Sequence, residues 1–291
     1  MAIGEYTKAI QVDPNHAKAY FRRAYSYSLL DQDQNAIADY TKTIEIGSDW
    51  DVSAYNNRGL SYVNLGQHQN AINDYTIAIQ LDPDHAFANA NRGVAYYELG
   101  QYQLSIDDLT KAIQQEPSAV HHTYRGNAYY ALDQYQLSIN DYTMAIQLDP
   151  SAVRDEAYYL RGDSYLELGQ HQLAILDFEE AINLNPDWRL PWYSLGVAYY
   201  EQGDYEMAIL GLDVAIELDP SFASSYDWRG FAHYYLEEYQ LAIQDYDMAI
   251  QLEPDVARYY ENRGNIYTWL DQFTEAEADW AKACSLDSQY C

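Results

Sequence analysis

The side chains best equipped for chemistry in this chain are carboxylates and phenols: 45 Asp and Glu residues and 32 tyrosines. Acid–base catalysis needs two carboxylates whose surroundings push their pKa values apart, and no pair stands out from the rest. Asp31-x-Asp33-x-Asn35 begins like a calcium loop. Ala36 replaces the required glycine and Lys42 the closing glutamate, so a polar turn is expected there. His68, His171, His233 and His122 stand where neighbouring copies of the same stretch carry an aromatic residue, which points to packing. His121 and His122 point about 100° apart on a helix, poor geometry for a shared ligand. No GxGxxG, P-loop, HExxH or nucleophile-elbow motif is present. Two cysteines, Cys284 and Cys291, make neither a disulfide framework nor a zinc site. They are expected as a buried thiol and a dangling one. The sequence calls for no metal and no cofactor, and is read as non-enzymatic.

Charge narrows the partners. Only 16 basic side chains oppose the 45 acids, a net charge of −29 over 291 residues. Nucleic-acid binding needs cations against phosphates, and an anionic membrane surface repels such a chain equally. With 48% apolar and 15% aromatic residues, the composition supports a packed core rather than disorder. No apolar run approaches the roughly 18 residues of a membrane span. The first residues, MAIGEYTKAIQVDP, have no signal-peptide pattern, so the cytoplasm is the expected compartment.

Self-similarity organises everything else. YNNRGLSYVNLGQHQNAINDYTIAIQLDP, ending at Pro83, recurs as NANRGVAYYELGQYQLSIDDLTKAIQQEP, HTYRGNAYYALDQYQLSINDYTMAIQLDP and YYLRGDSYLELGQHQLAILDFEEAINLNP. Further copies begin at Tyr20, Trp192, Tyr226 and Tyr260. Gly59, Gly93, Gly126, Gly162, Gly196, Gly230 and Gly264, with Ala24 in the first copy, mark a period of 33 to 36 residues. The units are a partial one at 1–14 and full ones at 15–50, 51–84, 85–117, 118–151, 152–187, 188–221, 222–255 and 256–291. Each reads as two helices. Gly66, Gly100, Gly169 and Gly203 mark the turn between them, with Asp31, Asp133 and Asp271 in that place elsewhere. Pro14, Pro83, Pro117, Pro150, Pro186, Pro220 and Pro254 stop the second helices. A mid-helix glycine costs about 1 kcal/mol relative to alanine, so its recurrence implies a partner helix too close for a Cβ.

The copies also reveal a pair. Arginine precedes the glycine in seven units and aspartate lies fifteen after it in seven, from Arg23 and Asp39 to Arg263 and Asp279. The sixth unit lacks both, having Leu195 and Gly211. Joint loss in one unit points to an ion pair between the two helices of a repeat.

This pattern resembles the tetratricopeptide repeat, a 34-residue helix-turn-helix, in a bacterial-type array with Tyr-x-x-Arg-Gly repeats. In the sixth unit the matching residues are Trp192, Leu195, Gly196, Tyr199, Ala208, Ala215 and Pro220. The resemblance covers essentially the whole chain. It implies an all-α fold, a right-handed α-solenoid superhelix of antiparallel helix pairs, with 1–291 as one domain. It also implies that the first helices line a concave ligand groove.

Positions six and three before the glycine, and one, four and five after it, are assigned to that groove. They place Tyr97, Glu98, Asn127, Tyr130, Glu156, Tyr159, Asp163, Glu167, Tyr193, Tyr200, Glu201, Asp227, Phe231, Tyr234, Tyr235, Glu261, Asn265 and Trp269 there. Six of these seven acids fall in the last four units. Carboxylates among aromatic rings suit cationic side chains. The expected function is a protein–protein interaction scaffold that binds an extended, basic peptide segment of a partner. Two alternatives stay open. The chain starts in mid-repeat and ends without a polar capping helix, as a substrate-recruiting or targeting region cut from a larger, even enzymatic, protein would. Uncapped apolar ends would also suit end-to-end self-association.

Overall fold

The computed structural model describes residues 2–148 and 154–291. Among them are seventeen α-helices, one short 3-10 turn and no strand. They form two compact units, Met1–Val153 and Arg154–Cys291. The first contains α1 (Ala2–Val12), α2 (Ala17–Ser28), α3 (Asp33–Ile46), α4 (Asp51–Asn64), α5 (His68–Leu81), α6 (Ala86–Glu98), α7 (Tyr102–Gln115), α8 (Ala119–Tyr130) and α9 (Tyr135–Leu148). The second contains α10 (Arg154–Glu167), α11 (His171–Leu184), α12 (Arg189–Gln202), α13 (Tyr205–Leu218), α14 (Ala223–Tyr235), α15 (Tyr239–Leu252), α16 (Ala257–Trp269) and α17 (Phe273–Leu286). From α2 onward, helices pair as first and second members of a repeat. Each unit is an all-α solenoid of such pairs. The proposed stop at Pro150 lies outside the described residues.

Local chemistry sets the boundaries. Gly66, Gly100, Gly169 and Gly203 end first helices with φ between +68° and +87°. Asp31, Asp133 and Asp271 adopt the same left-handed geometry, and so does Glu237. A non-glycine residue there costs about 1–2 kcal/mol, and Glu237 carries no local signal that it must accept this. Second helices stop one or two residues before proline, as at Leu81, Leu184, Leu218 and Leu252.

The recurrent glycines are contact points. A Cβ at Gly59 would lie 2.5 Å from the Tyr75 ring, and one at Gly126 would lie 2.7 Å from the Tyr142 ring. Tyr40, Tyr75, Tyr142, Phe178 and Tyr246 are fully buried at this crossing, and Leu109 and Leu212 take the place in two other repeats.

Beside the glycine, every expected arginine reaches its aspartate. Arg92 Nε donates to Asp108 Oδ2 at 2.6 Å and Nη2 to Oδ1 at 2.8 Å. Arg23–Asp39, Arg58–Asp74, Arg125–Asp141, Arg161–Asp177, Arg229–Asp245 and Arg263–Asp279 are bidentate in the same way. The aspartates are buried. The guanidinium also lies over a tyrosine, as Arg58 does over Tyr55 at 5.4 Å and Arg92 over Tyr96 at 5.8 Å.

The remaining guanidinium nitrogen reaches backwards. Nη1 of Arg23, Arg58, Arg92 and Arg125 donates to Thr7, Thr41, Thr76 and Thr110 at 2.9–3.1 Å. Each threonine belongs to the second helix of the preceding repeat. Thr7, Thr41 and Thr76 donate their own hydroxyl to a carbonyl four residues back, which leaves the oxygen to accept. In the second unit Asp213 and Asp247 replace threonine for Arg229 and Arg263. One side chain thus joins two helices of its own repeat and ties that repeat to the previous one.

The sixth unit shows the exception and its cause. A Cβ at Gly211 would lie 3.1 Å from Gly196 N and 3.2 Å from Trp192 O. Here α12 and α13 approach too closely for an aspartate. Another ion pair, Arg189 Nη1 to Asp219 Oδ2 at 2.6 Å, serves this repeat, with Arg189 3.9 Å above the Phe222 ring.

The cysteines correct the expectation of two thiols. Cys284 and Cys291 form a disulfide, brought together by the turn Ser288–Tyr290. The suspected calcium loop is used structurally, since Asn64 Nδ2 donates to Asp33 Oδ1 at 3.2 Å. His122 does more than pack: its Nδ1 is 2.7 Å from Asp141 Oδ1, beside Arg125. Together these donors hold the Asp141 carboxyl below its usual range despite burial.

Candidate interaction face

The face assigned to ligand divides sharply by position. Residues five after the glycine lie about 140° round the helical wheel from it. Glu98, Glu167, Glu201, Tyr235 and Trp269 take this position, and all are exposed. Tyr235 is 52% and Trp269 64% exposed. Glu156, six before its glycine, is also exposed.

Residues three before and four after the glycine lie only about 60° and 40° from it, so they are drawn into packing. Tyr97, four after, stands 5.9 Å from Tyr124 on the next first helix. Tyr200 lies 5.1 Å from Trp228 and 5.8 Å from Tyr235 on α14. Tyr130 packs on Tyr135, and Tyr234 on Tyr235 and Tyr239. Three before the glycine, Tyr159 meets Trp188 at 4.8 Å and Tyr193 meets Phe222 at 5.0 Å. Glu261 is half-buried at the same position, as is Asp163, one after its glycine. Burial pushes the Tyr159 hydroxyl up to about 12 and raises those of Tyr193 and Tyr200, so these phenols stay neutral at ordinary pH.

Asp227 departs most from its expected place. Expected on the ligand face, it is buried at 1% exposure because its position is near the packing stripe. Its Oδ2 accepts a hydrogen bond from Arg258 Nη2. Its Oδ1 has no hydrogen-bond partner among the described residues. Burial pushes this carboxyl up to about 6, against the pull of Arg258. Asn127 and Asn265 are also engaged internally. Asn127 Oδ1 accepts from Tyr142 Oη at 2.8 Å, and Asn265 Oδ1 from Trp280 Nε1 at 3.2 Å. Asn127 thereby holds the buried Tyr142 ring and Asn265 the exposed Trp280 ring of the second helix.

What remains for a ligand is concentrated in the second unit. A cavity of about 380 Å³ is lined by Leu166, Glu167 and His171, by Val197 and Glu201, and by Trp228. It spans α10, α12 and α14 and contains two exposed carboxylates, an indole and no Lys or Arg. A smaller cavity of about 100 Å³ lies between Phe231, Tyr234 and Tyr246 and Asn262, Asn265 and Ile266. Trp228 and Asn262 lie outside the five expected positions. Both stand two before the glycine, about 160° round the wheel, so the periodicity itself could have found them. No cluster of His, Cys, Asp and Glu suited to a metal ion occurs among the described residues. Nor is any described helix long and apolar enough to cross a membrane.

The Asp227 carboxyl supplies a pH signature. Folding raises its proton affinity, so the stability it contributes below about pH 4 is lost as pH rises through about 6. A shift of two units corresponds to about 3 kcal/mol. Asp227→Asn should remove that loss. In urea unfolding between about pH 4 and pH 7, the wild type should fall by about 2–3 kcal/mol relative to the variant. Parallel curves would contradict the assignment.

Comparison with known proteins agrees with the geometry. Tetratricopeptide-repeat patterns match residues 5–38, 52–85, 86–119 and 256–286, and overlapping spans 126–169, 162–203 and 196–236. No curated protein matches the chain in sequence. Among solved structures, the C-terminal part of a TPR repeat-containing protein from Cytophaga hutchinsonii is 22% identical, with a TM-score of 0.65 over 80% of this chain and 95% of that one. MamA is 26% identical, with a TM-score of 0.56 over 60% of this chain and 96% of its own. YrrB, described as a TPR protein with an unusual peptide-binding site, is 21% identical, with a TM-score of 0.54 over 62% of this chain and 93% of its own. With repeat spacing, glycine contacts and helix pairing all in agreement, the chain belongs to the tetratricopeptide-repeat family.

Proposed function

We propose that the last four repeats hold an extended, basic segment of a partner protein across the acidic, tyrosine-rich face of their first helices. At the coarser level, the chain is a protein-interaction scaffold, since that is what tetratricopeptide arrays do, and such arrays are generally non-catalytic. The observation that carries the finer reading is the cavity formed by Glu167, Glu201 and Trp228. Two carboxylates attract an ammonium or guanidinium group, and an indole face adds about 0.5–2 kcal/mol by cation–π attraction. Leu166 and Val197 suit the aliphatic stem of the same side chain. Glu201 has no ion pair among the described residues, so an incoming cation need not displace one. Glu156 and the exposed rings of Tyr235 and Trp269 extend the face along the array. The other expected tyrosines of these repeats, Tyr159, Tyr193, Tyr200 and Tyr234, act in this reading as the packed wall beneath it.

Two organisational proposals accompany this one. Residues 1–291 are taken as one domain, which would unfold in a single calorimetric transition rather than two. The cytoplasm is taken as the compartment. The Cys284–Cys291 disulfide would be reduced there, so thiol trapping in intact cells should find both cysteines alkylated, and a protected pair would contradict the placement.

The binding test uses a labelled, unstructured peptide rich in Arg and Pro, with an acidic peptide of equal length as control. The basic peptide should bind, and Glu167→Gln with Glu201→Gln should weaken it about tenfold, or about 1.4 kcal/mol. Affinity should fall with added salt, because exposed charges are screened over about 8 Å at physiological ionic strength. Equal binding of the acidic peptide would contradict the reading.

A further inference from the structure

The second helices of the last repeats carry an apolar ridge that neither the fold nor the groove uses. Leu173 and Leu176 on α11, Met207 and Leu210 on α13, and Leu241 on α15 are 38–58% exposed. Leu176 and Leu210 occupy equivalent positions in adjacent repeats. Other copies have Asn73, Asp107, Asn140 and Gln244 there, so the fold itself does not require leucine. In α11 and α13 the two apolar residues are three apart and lie on one face. The sequence of α13, YEMAILGLDVAIEL, is apolar on nearly every side. A helix of that kind is normally covered all round, yet Leu210 is the most exposed leucine of the ridge.

Charge identifies what would cover it. Helices α11, α13 and α15 contain no Lys or Arg. Glu180 lies one turn beyond Leu176, Glu206 one turn before Leu210, and Glu217 two turns after it. All three glutamates are exposed. A second copy of this face would bring the same acids together with nothing to answer them. The complementary surface is an amphipathic helix with an apolar stripe and cations beside it, which anchors through residues at i, i+3, i+4 and i+7.

We propose that the exposed face of α11, α13 and α15 docks a basic amphipathic helix of a partner protein, at a site separate from the first-helix groove. The test uses the full chain and a fluorescein-labelled Leu/Lys peptide with leucines at helical spacing. A scrambled peptide of identical composition is the control. Fluorescence anisotropy should give saturable binding about tenfold tighter for the amphipathic peptide than for the scrambled one. Leu176→Asn with Leu210→Asn should weaken it by about tenfold. Asparagine already occupies this position at Asn140, and circular dichroism with thermal melting verifies folding. Glu167→Gln with Glu201→Gln should leave this binding unchanged. Equal affinity for the two peptides, or no effect of the asparagine substitutions, would overturn the proposal. An equal loss in the glutamine variant would place the peptide in the groove instead and also overturn it. So would a wild-type dimer, seen by sedimentation, that the asparagine variant dissociates.

Discussion

The guanidinium group before each packing glycine is the interaction on which the array depends. Its planar fork presents two parallel N–H donors to a buried aspartate, a geometry lysine cannot reproduce. The third direction reaches the preceding repeat, where Thr7, Thr41, Thr76 and Thr110, then Asp213 and Asp247, accept. A buried aspartate alone would be costly; here it has a bidentate partner whose cation is stacked on tyrosine. Close helix crossing accompanies the arrangement: at Gly59 and Gly126 the missing Cβ leaves room for the Tyr75 and Tyr142 rings, and the first repeat makes the same ion pair with Ala24 in the glycine's place. The same crossing buries the aromatic ring beside that aspartate.

The sixth repeat shows what happens when the pair is given up. Gly211 faces the backbone of Gly196 and Trp192, and Leu195, buried, stands where the arginine would be. The preceding repeat carries Glu179 where others have threonine. With no arginine to meet, Glu179 instead accepts from the Tyr199 hydroxyl at 3.4 Å. Arginine and aspartate are lost together here, and the residue at the threonine position of the preceding repeat takes another partner. The loss of this polar seam coincides with the most apolar second helix, which extends the leucine ridge along the second unit.

Much of this was legible in the chain because repetition provides internal controls. The fold, the helix boundaries and the seven arginine–aspartate pairs follow from comparing copies with one another. The backward contact has a sequence trace too, since Thr41, Thr76, Thr110 and Thr143 stand two residues beyond the aspartates of the first four full repeats, but it crosses repeat boundaries, so comparing copies position by position does not show it. The disulfide was not legible, since it has no repeating counterpart, whereas Glu237 stands seven after Gly230, where other copies carry Gly66, Gly100, Gly169 and Gly203, so the register marks its left-handed turn although its residue type does not. On the ligand face, the error was angular. Positions three before and four after the glycine sit too near the packing stripe, so Asp227 is buried and Tyr97, Tyr200 and Tyr234 fill space between helices. Trp228 lies on the far side of the wheel, outside the five expected positions. Charge was more informative than position. Of the carboxylates that remain exposed, Glu156, Glu167 and Glu201 lie in the second unit and Glu98 in the first, while the seven arginines before the glycine position are spent internally.

The most direct test of the fork is a pair of double-mutant cycles read by urea unfolding, one on Arg92 and Asp108 and one on Arg92 and Thr76. The account expects a coupling of about 2–3 kcal/mol for the buried ion pair and about 1 kcal/mol across the repeat boundary. Additive single-mutant effects for Arg92 and Asp108, with no coupling, would contradict it.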